Sequence, residues 1–274
     1  MRMKNMMLFA DTRTGSSVLF NLIRQIYHTH RQSKQDDKLI DCIAEPWHAG
    51  VIHYFYGAEI YYELYGNNHC SDIYSYANLK DEPWSMLRSI HDNVYRISYG
   101  CKHIWSHLTE GTNYSLLLKS INEGHRIIFL DRRAIGKKSL SHLLARQTEQ
   151  WRRYTSAPKF ENVDLQMLRV LCDRYKRTKH DYRVFLEEYA NDVYYITYED
   201  IFHLNTYEEK LSKFQEVVEF LGFDRDDAIR TNIEEPLNPK QQQNTDDILR
   251  TIPNIKDVCR FIHDEYGERI IPDQ

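Results

Sequence analysis

The sequence contains no cysteine motif. Its five cysteines, Cys42, Cys70, Cys101, Cys172 and Cys259, are odd in number and widely spaced, with no C-x-x-C pair and no histidine at zinc-ligand spacing. A disulfide framework and a zinc finger are excluded, and reduced thiols are expected. Long apolar runs are missing as well: Met6 to Ala10 is too short for the core of a signal peptide, and no later run approaches the length of a membrane span. The expectation is a soluble, cytoplasmic protein. Neither sign of charge dominates. A net charge of −4 speaks against nucleic acid or an anionic membrane surface as the main partner, so any basic site has to be local. There is no internal repeat, and low complexity is confined to Gln241 to Gln243. The triphosphate-cradling pattern G-x-x-x-x-G-K-[ST] does not occur.

What the chain does have is length, 274 residues, and an apolar content that suffices for a substantial core. One domain over residues 1–274 is expected, with an aromatic-rich insertion at about 47–95. The N-terminal stretch carries the first chemical signal. Met6 to Asp11 reads as an apolar strand, Arg13-Thr14-Gly15 as a loop, and Ser16 to about His28 as a helix with Val18, Leu19, Leu22, Ile23 and Ile26 at helical spacing. A strand turning into a helix leaves the first helical N–H groups unpaired, and the helix dipole adds positive charge there. Anions bind at such turns. Gly15 lets the backbone approach a ligand, Ser16 and Ser17 offer hydroxyls, and Arg13 offers a planar cationic fork. A helix cap alone also accounts for Thr14 to Ser17, since Ser and Thr are favoured at helix starts.

Further along, Leu39 to Ala44 reads as a strand stopped at Glu45-Pro46, with the proline holding Glu45 extended. Tyr95 to Tyr99, Arg126 to Asp131 and Val193 to Tyr198 read as three more strands, and Arg31 to Lys38 as a loop. Helices are expected over Tyr114 to Asn122, from about Gly136 to Arg153, over Leu165 to Tyr189, over Glu208 to Leu221, and near Ile255 to Tyr266. This alternation predicts an α/β fold of three layers, a mostly parallel sheet covered by helices on both faces. Ligands bind at the carboxyl ends of such strands, which places Arg13, Glu45, Lys102 and Arg133 on one edge.

Between Trp47 and Tyr95 the pattern is irregular and aromatic, with Tyr54, Phe55, Tyr56, Tyr61, Tyr62, Tyr65, Tyr74, Tyr76 and Trp84. Helical spacing allows Tyr54, Tyr61, Tyr62 and Tyr65 one shared face. An ordinary core or homodimer face explains them. An acceptor-stacking surface is the alternative, because tyrosine offers both a flat ring and a hydroxyl.

Four stretches in order, Arg13-Thr14-Gly15-Ser16-Ser17, Glu45-Pro46, Gly100 to Trp105, and Leu130-Asp131-Arg132-Arg133 through Ser139-Leu140-Ser141 to Trp151, carry a resemblance. Tyr198-Glu199-Asp200 is a fifth. Together they resemble the PAPS-dependent sulfotransferases, and within that family the bacterial carbohydrate enzymes of the trehalose type. The resemblance implies a P-loop NTPase-like sulfotransferase fold and transfer of a sulfuryl group from PAPS to a hydroxyl of a carbohydrate or other small-molecule acceptor, giving PAP and a sulfate ester. It implies that Arg13, Thr14, Gly15, Ser16 and Ser17 surround the 5′-phosphosulfate and that Arg133 and Ser141, eight positions apart, hold the 3′-phosphate. Trp151 and Tyr198 are expected to bracket the adenine. Glu45 matches the acceptor-side base of the carbohydrate enzymes. Arg13 is expected to stabilise charge on the leaving phosphate, and Lys102 either shares that work or is a solvated strand-end lysine. No metal is required, and His48, His53, His103 and His107 are given no role. Two departures stand out: Thr12 replaces a proline that many relatives have, and the basic C-terminal segment of many sulfotransferases is reduced to Lys240 among glutamines.

Two rivals remain. A P-loop kinase-like phosphotransferase would need the absent loop lysine, and Asp131, the Walker-B-like carboxylate, is crowded by Arg132 and Arg133. A non-catalytic nucleotide-binding or scaffold protein would keep the fold without turnover.

Overall fold

In the computed structural model, which describes residues 4–34, 38–66, 82–150, 158–231, 236 and 246–271, the apolar segments pair into one sheet. Trp151, Lys240, Cys70, Tyr74 and Tyr76 lie outside the described residues. The strands β1 (Met6–Ala10), β2 (Ile43–Ala44), β3 (Gly100–Ile104), β4 (Arg126–Asp131) and β5 (Val193–Thr197) lie in the order β2-β3-β1-β4-β5. All four pairings are parallel. Every residue of β1 is buried, as a central parallel strand requires.

The period of two divides these strands between two layers. Met6, Leu8, Ala10, Ile128 and Leu130 face α1 (Ser16–Lys34), while Met7, Phe9, Cys101, Ile127 and Phe129 face the other way. On that second face lie α2 (Ala49–Tyr65), α3 (Trp84–Ile97) and α4 (Glu110–Asn122). A third cluster joins α5 (Ile135–Thr148) and α6 (Leu165–Tyr189) to the C-terminal segment. The remaining helices are α7 (Glu199–Phe202), α8 (Tyr207–Phe220), α9 (Asp226–Ile229), α10 (Asp246–Leu249) and α11 (Ile255–Tyr266). The three-layer α/β expectation holds, with the sheet wholly parallel. Among the described residues no helix is long and apolar enough to cross a membrane, and Cys42, Cys101, Cys172 and Cys259 are free thiols.

Several local expectations are corrected. Tyr95 to Tyr99 is no strand: α3 runs to Ile97 because Leu87, Ile90, Val94 and Tyr95 recur at helical spacing and are buried together. The strand that follows is Gly100–Ile104. Helix α1 continues to Lys34, so the expected loop from Arg31 begins later. The expected strand over Leu39 to Ala44 shrinks to Ile43–Ala44, paired with Cys101 and Lys102. Glu45 is not extended before its proline but left-handed, at φ 55. Its N–H donates to the Lys102 carbonyl (2.7 Å) and its own carbonyl accepts from His48 N–H (2.9 Å), which fixes that conformation against its intrinsic preference.

The tyrosines of α2 do not share a face. Gly57 takes φ 77 inside the helix and kinks it, and Tyr61 and Tyr62 are neighbours roughly 100° apart around a helix. Tyr61 and Tyr65 are buried in the core, whereas Tyr54 is 73% and Tyr62 45% exposed.

Candidate active site

The turn from β1 to α1 is built over a buried ion pair. Asp11, fully buried, follows β1 directly and meets the Lys138 ammonium of α5 at 2.8 Å, with Lys138 only 1% exposed. Lys138 also lies over the Tyr175 ring at 4.2 Å. Asp11 then organises the loop: its carboxylate accepts from Thr12 N–H (2.7 Å), and its carbonyl accepts from the Thr14 hydroxyl (2.7 Å). Thr14 is therefore an internal brace of the turn. Gly15 adopts φ 74, and a Cβ there would come within 2.5 Å of Phe202 and 2.9 Å of Tyr198. Close packing of α7 thus accounts for this glycine, beyond any ligand approach.

The amide N–H groups of Gly15, Ser16 and Ser17 take part in none of the described hydrogen bonds. The first intrahelical bonds run from Val18 and Leu19 back to the Gly15 carbonyl. Positive side chains gather around this open end. Arg13, itself left-handed at φ 64, donates from Nε to Ser141 Oγ at 2.9 Å. Arg132 donates to the Arg13 carbonyl at 3.2 Å and stacks its guanidinium over Tyr198 at 4.4 Å. His142 lies alongside, its Nδ1 2.7 Å from the Tyr175 hydroxyl and 3.4 Å from that of Thr12. Burial, reinforced by Arg146, Arg13 and Lys138, pushes His142 down to about 4, so it is neutral at physiological pH.

Lys102 joins this turn to Glu45. It occupies the interior of β3, opposite Leu8 and Ala44, not a strand end, and it is 3% exposed. A lysine buried there has to find partners. It places Nζ 2.6 Å from Glu45 Oε1 and donates to Ser17 Oγ at 3.0 Å. His107 Nε2 lies 4.0 Å from the other Glu45 oxygen, and the His48 and His107 rings are 5.1 Å apart. Burial raises the Glu45 carboxyl, but the charge and hydrogen bond of Lys102, with His107 and His48, more than offset it and hold it below the usual glutamate range. Glu45 is a carboxylate at neutral pH.

The turn from β4 to α5 differs. Glu199 accepts from the N–H groups of Arg133 (2.9 Å) and Ala134 (3.1 Å). Glu268 accepts from those of Gly136 (3.0 Å) and Lys137 (3.1 Å). The protein's own carboxylates occupy this helix start. Arg133 turns outward to Asp200 at 2.8 Å, with its side chain 60% exposed. Asp131 is paired with Lys179 of α6 at 2.5 Å.

The structure therefore brings Arg13 to Ser141, and Ser17, Lys102 and Glu45 to one another. Tyr198, 8% exposed, is stacked on Phe202 at 4.4 Å and packs against Gly15. Arg132, the neighbour of the Arg133 expected at the 3′-phosphate, is the cation of its loop that touches the first turn. The Asp11–Lys138 pair and His142 carried no signal in the sequence, because their partners are not sequence neighbours: Lys138 follows Asp11 by more than a hundred residues, and Tyr175 and Thr12 lie 33 and 130 residues from His142. His48 was visible only as an isolated histidine near Glu45, and His107 only as one near the Gly100 to Trp105 stretch.

No family model matches the chain, and no curated protein does. Among solved structures it is similar to a crystal structure of a sulfotransferase from Alicyclobacillus acidocaldarius, over 98% of both chains, at 12% identity and a TM-score of 0.39. A likeness that distant carries nothing about activity, and the functional reading rests on the site.

Proposed function

We propose that this chain is a sulfotransferase that moves a sulfuryl group from PAPS to the hydroxyl of a small-molecule acceptor, with a carbohydrate as the favoured acceptor class. One observation carries the proposal: the open helix start at Gly15 to Ser17 is linked by a single buried lysine, Lys102, to an ionised carboxylate, Glu45. A phosphate or sulfuryl oxygen suits the N–H groups and the Arg13 and Lys102 cations. A hydroxyl donor suits Glu45. Two of the three non-glycine residues with positive φ among the described residues, Arg13 and Glu45, sit on either side of this link, and strained backbone at that place supports a functional role.

In the proposed reaction the acceptor oxygen attacks sulfur in line as the bond from sulfur to the phosphate oxygen breaks. Glu45 takes the acceptor proton, and PAP departs with the electron pair. Positioning and electrostatic stabilisation carry most of the rate, as in phosphoryl transfer. Because Glu45 is held ionised by Lys102, it is always ready to accept. Its low proton affinity makes that transfer late, once the forming O–S bond has acidified the hydroxyl. Arg13 and Lys102 stabilise the leaving phosphate as cations; Arg13 gives up no proton, since guanidinium stays charged.

For the 3′-phosphate, the proposal retains Ser141, beside Arg13, and Arg133. Arg133 has to leave an exposed pair with Asp200, which costs little. Tyr198 contributes the wall against which the first turn packs. The acceptor side is assigned to the exposed Tyr54 and Tyr62 region of α2.

The test combines calorimetry with PAP and a screen of hydroxylated acceptors with sulfur-labelled PAPS. Binding of PAP, label transfer to an alcohol, and loss of transfer with retained PAP binding in Glu45→Gln are expected. PAP binding with no transfer to any acceptor would support a non-catalytic nucleotide-binding protein. No PAP binding would overturn the donor assignment.

A further inference from the structure

At the opposite, amino-terminal end of the sheet, a second polar cluster takes no part in the proposed reaction. His91 of α3 is fully buried, and His125, which precedes β4, is 6% exposed. Their rings are stacked with centroids 5.6 Å apart. Glu123, at the end of α4, reaches both: its Oε2 lies 3.8 Å from His91 Nδ1 and 3.6 Å from His125 Nε2. One donor atom from each of the three residues falls within 4.8 Å of the others.

The geometry points to a divalent transition-metal site, of the zinc class, formed by His91, His125 and Glu123 with Asp92 as the nearest fourth donor. Two imidazoles and a carboxylate are a donor set that zinc accepts. A tetrahedral zinc with bonds of about 2.0–2.1 Å holds its donors about 3.3–3.4 Å apart. The Glu123 separations of 3.6 and 3.8 Å contract by a few tenths of an ångström, the His91–His125 separation closes from within 4.8 Å, and His125 Nε2 exchanges the Asn5 amide 3.3 Å away for the metal. Asp92 Oδ1 is 3.8 Å from His91 Nδ1, on the solvent side.

Two further observations favour a ligand. His91 engages the Ser120 hydroxyl through Nε2 at 2.8 Å. Metal-binding histidines commonly use the other ring nitrogen in this way, which leaves Nδ1 to face the metal. That Nδ1 is buried and makes no hydrogen bond. The mouth of the cluster already holds a cation: Lys119 places its ammonium 2.6 Å from Asp92 Oδ1 and bonds Glu123. A metal would take the place of this ammonium between the two carboxylates, with the Lys119 side chain, 13% exposed, swinging outward on its flexible stem. Lys38 is the other cation whose charge bears on His125. The site would clip α3, the end of α4 and the start of β4 together, which is a structural role independent of sulfuryl transfer.

The test uses the full chain after chelator treatment, with Zn(II) and Co(II) alone as probes. Saturable binding of one equivalent, a rise in Tm, and visible Co(II) ligand-field bands of low coordination number are expected. Glu123→Gln should abolish the bands. Ser120→Ala should weaken zinc about 10–100-fold. Lys119→Met should tighten it, because the competing ammonium is gone. Glu123 is 38% exposed and Lys119 lines the mouth of the cluster, and Glu123→Gln and Lys119→Met both keep side-chain volume, so these variants keep the fold. Absence of saturable binding overturns the proposal. So does binding that Glu123→Gln and Lys119→Met leave unchanged, which would mark adventitious histidines elsewhere.

Discussion

The two strand-to-helix turns of the sheet, β1 to α1 and β4 to α5, begin from similar sequences and end in opposite states. Both follow a buried apolar strand with aspartate at or just after its end, and both carry arginine and start a helix. In the first, the N–H groups of Gly15, Ser16 and Ser17 remain open and cations converge on them. In the second, Glu199 and Glu268 fill the N–H groups, and Arg133 turns to Asp200. A helix start is an anion site only while no internal anion has taken it. The comparison teaches that the positive end of a helix is a resource which the rest of the chain can use up.

The largest effect is expected where the open turn meets its base. Glu45→Gln should lower turnover about 10²–10⁴-fold with PAP binding retained, the range associated with loss of general-base catalysis, measured by label transfer. Next is the support beneath that turn. Lys138→Met leaves the fully buried Asp11 uncompensated and should cost about 3–5 kcal/mol in urea unfolding, because a stranded buried charge keeps its desolvation penalty without its partner. Gly15→Ala adds a methyl group to a positive-φ position against Phe202 and Tyr198 and should cost about 2 kcal/mol or more. A cost near zero would mean that α7 does not press on the loop.

The filled turn sharpens the contrast through pH. Burial raises the Glu199 carboxyl, but the Arg133 and Ala134 N–H groups and the Arg132 charge hold it, on balance, below the ordinary value of 4.5. As pH falls, the unfolded chain protonates this group first. Its stabilising contribution is therefore complete above about 4.5 and is lost as pH drops through the lower folded value. Glu268 has the opposite sign: burial raises it above 4.5 despite its N–H partners. It costs stability as pH rises from 4.5 through its folded value. Unfolding free energy followed from acid to neutral pH should thus lose part of its acid dependence in Glu199→Gln and gain at neutral pH in Glu268→Gln. The smallest effect is expected for Arg133→Ala: at most about 1 kcal/mol in stability, since its pair with Asp200 is exposed. A clear loss of PAP affinity in the same variant would show that Arg133 leaves Asp200 for the donor.

Legibility followed the range of the interactions. The anion-type turn at Arg13 to Ser17 could be read from a dozen neighbouring residues, and so could the helices Leu165–Tyr189 and Ile255–Tyr266, whose periodic faces are long. Glu45 was recognisable at a strand end, but its left-handed backbone was not, because bonds to Lys102 and His48 override the preference imposed by Pro46. The burial of Lys102 depends on the register of β3 against β1 and β2, which no local pattern specifies. The tyrosines of α2 misled because Gly57 breaks the helical phase between Tyr54 and Tyr61.

Composition and periodicity alone therefore settled that strands and helices alternate, that the sheet is parallel and buried, and that two turns have the chemistry to meet anions. These follow from each residue's own conformational preferences and from the spacing of its apolar neighbours. Which turn stays open was a tertiary decision. Glu199 approaches Arg133 from 66 residues further along the chain, and Glu268 approaches Gly136 from 132. Only the folded sheet brings those carboxylates to one helix start and leaves the other to Arg13, Lys102 and Glu45.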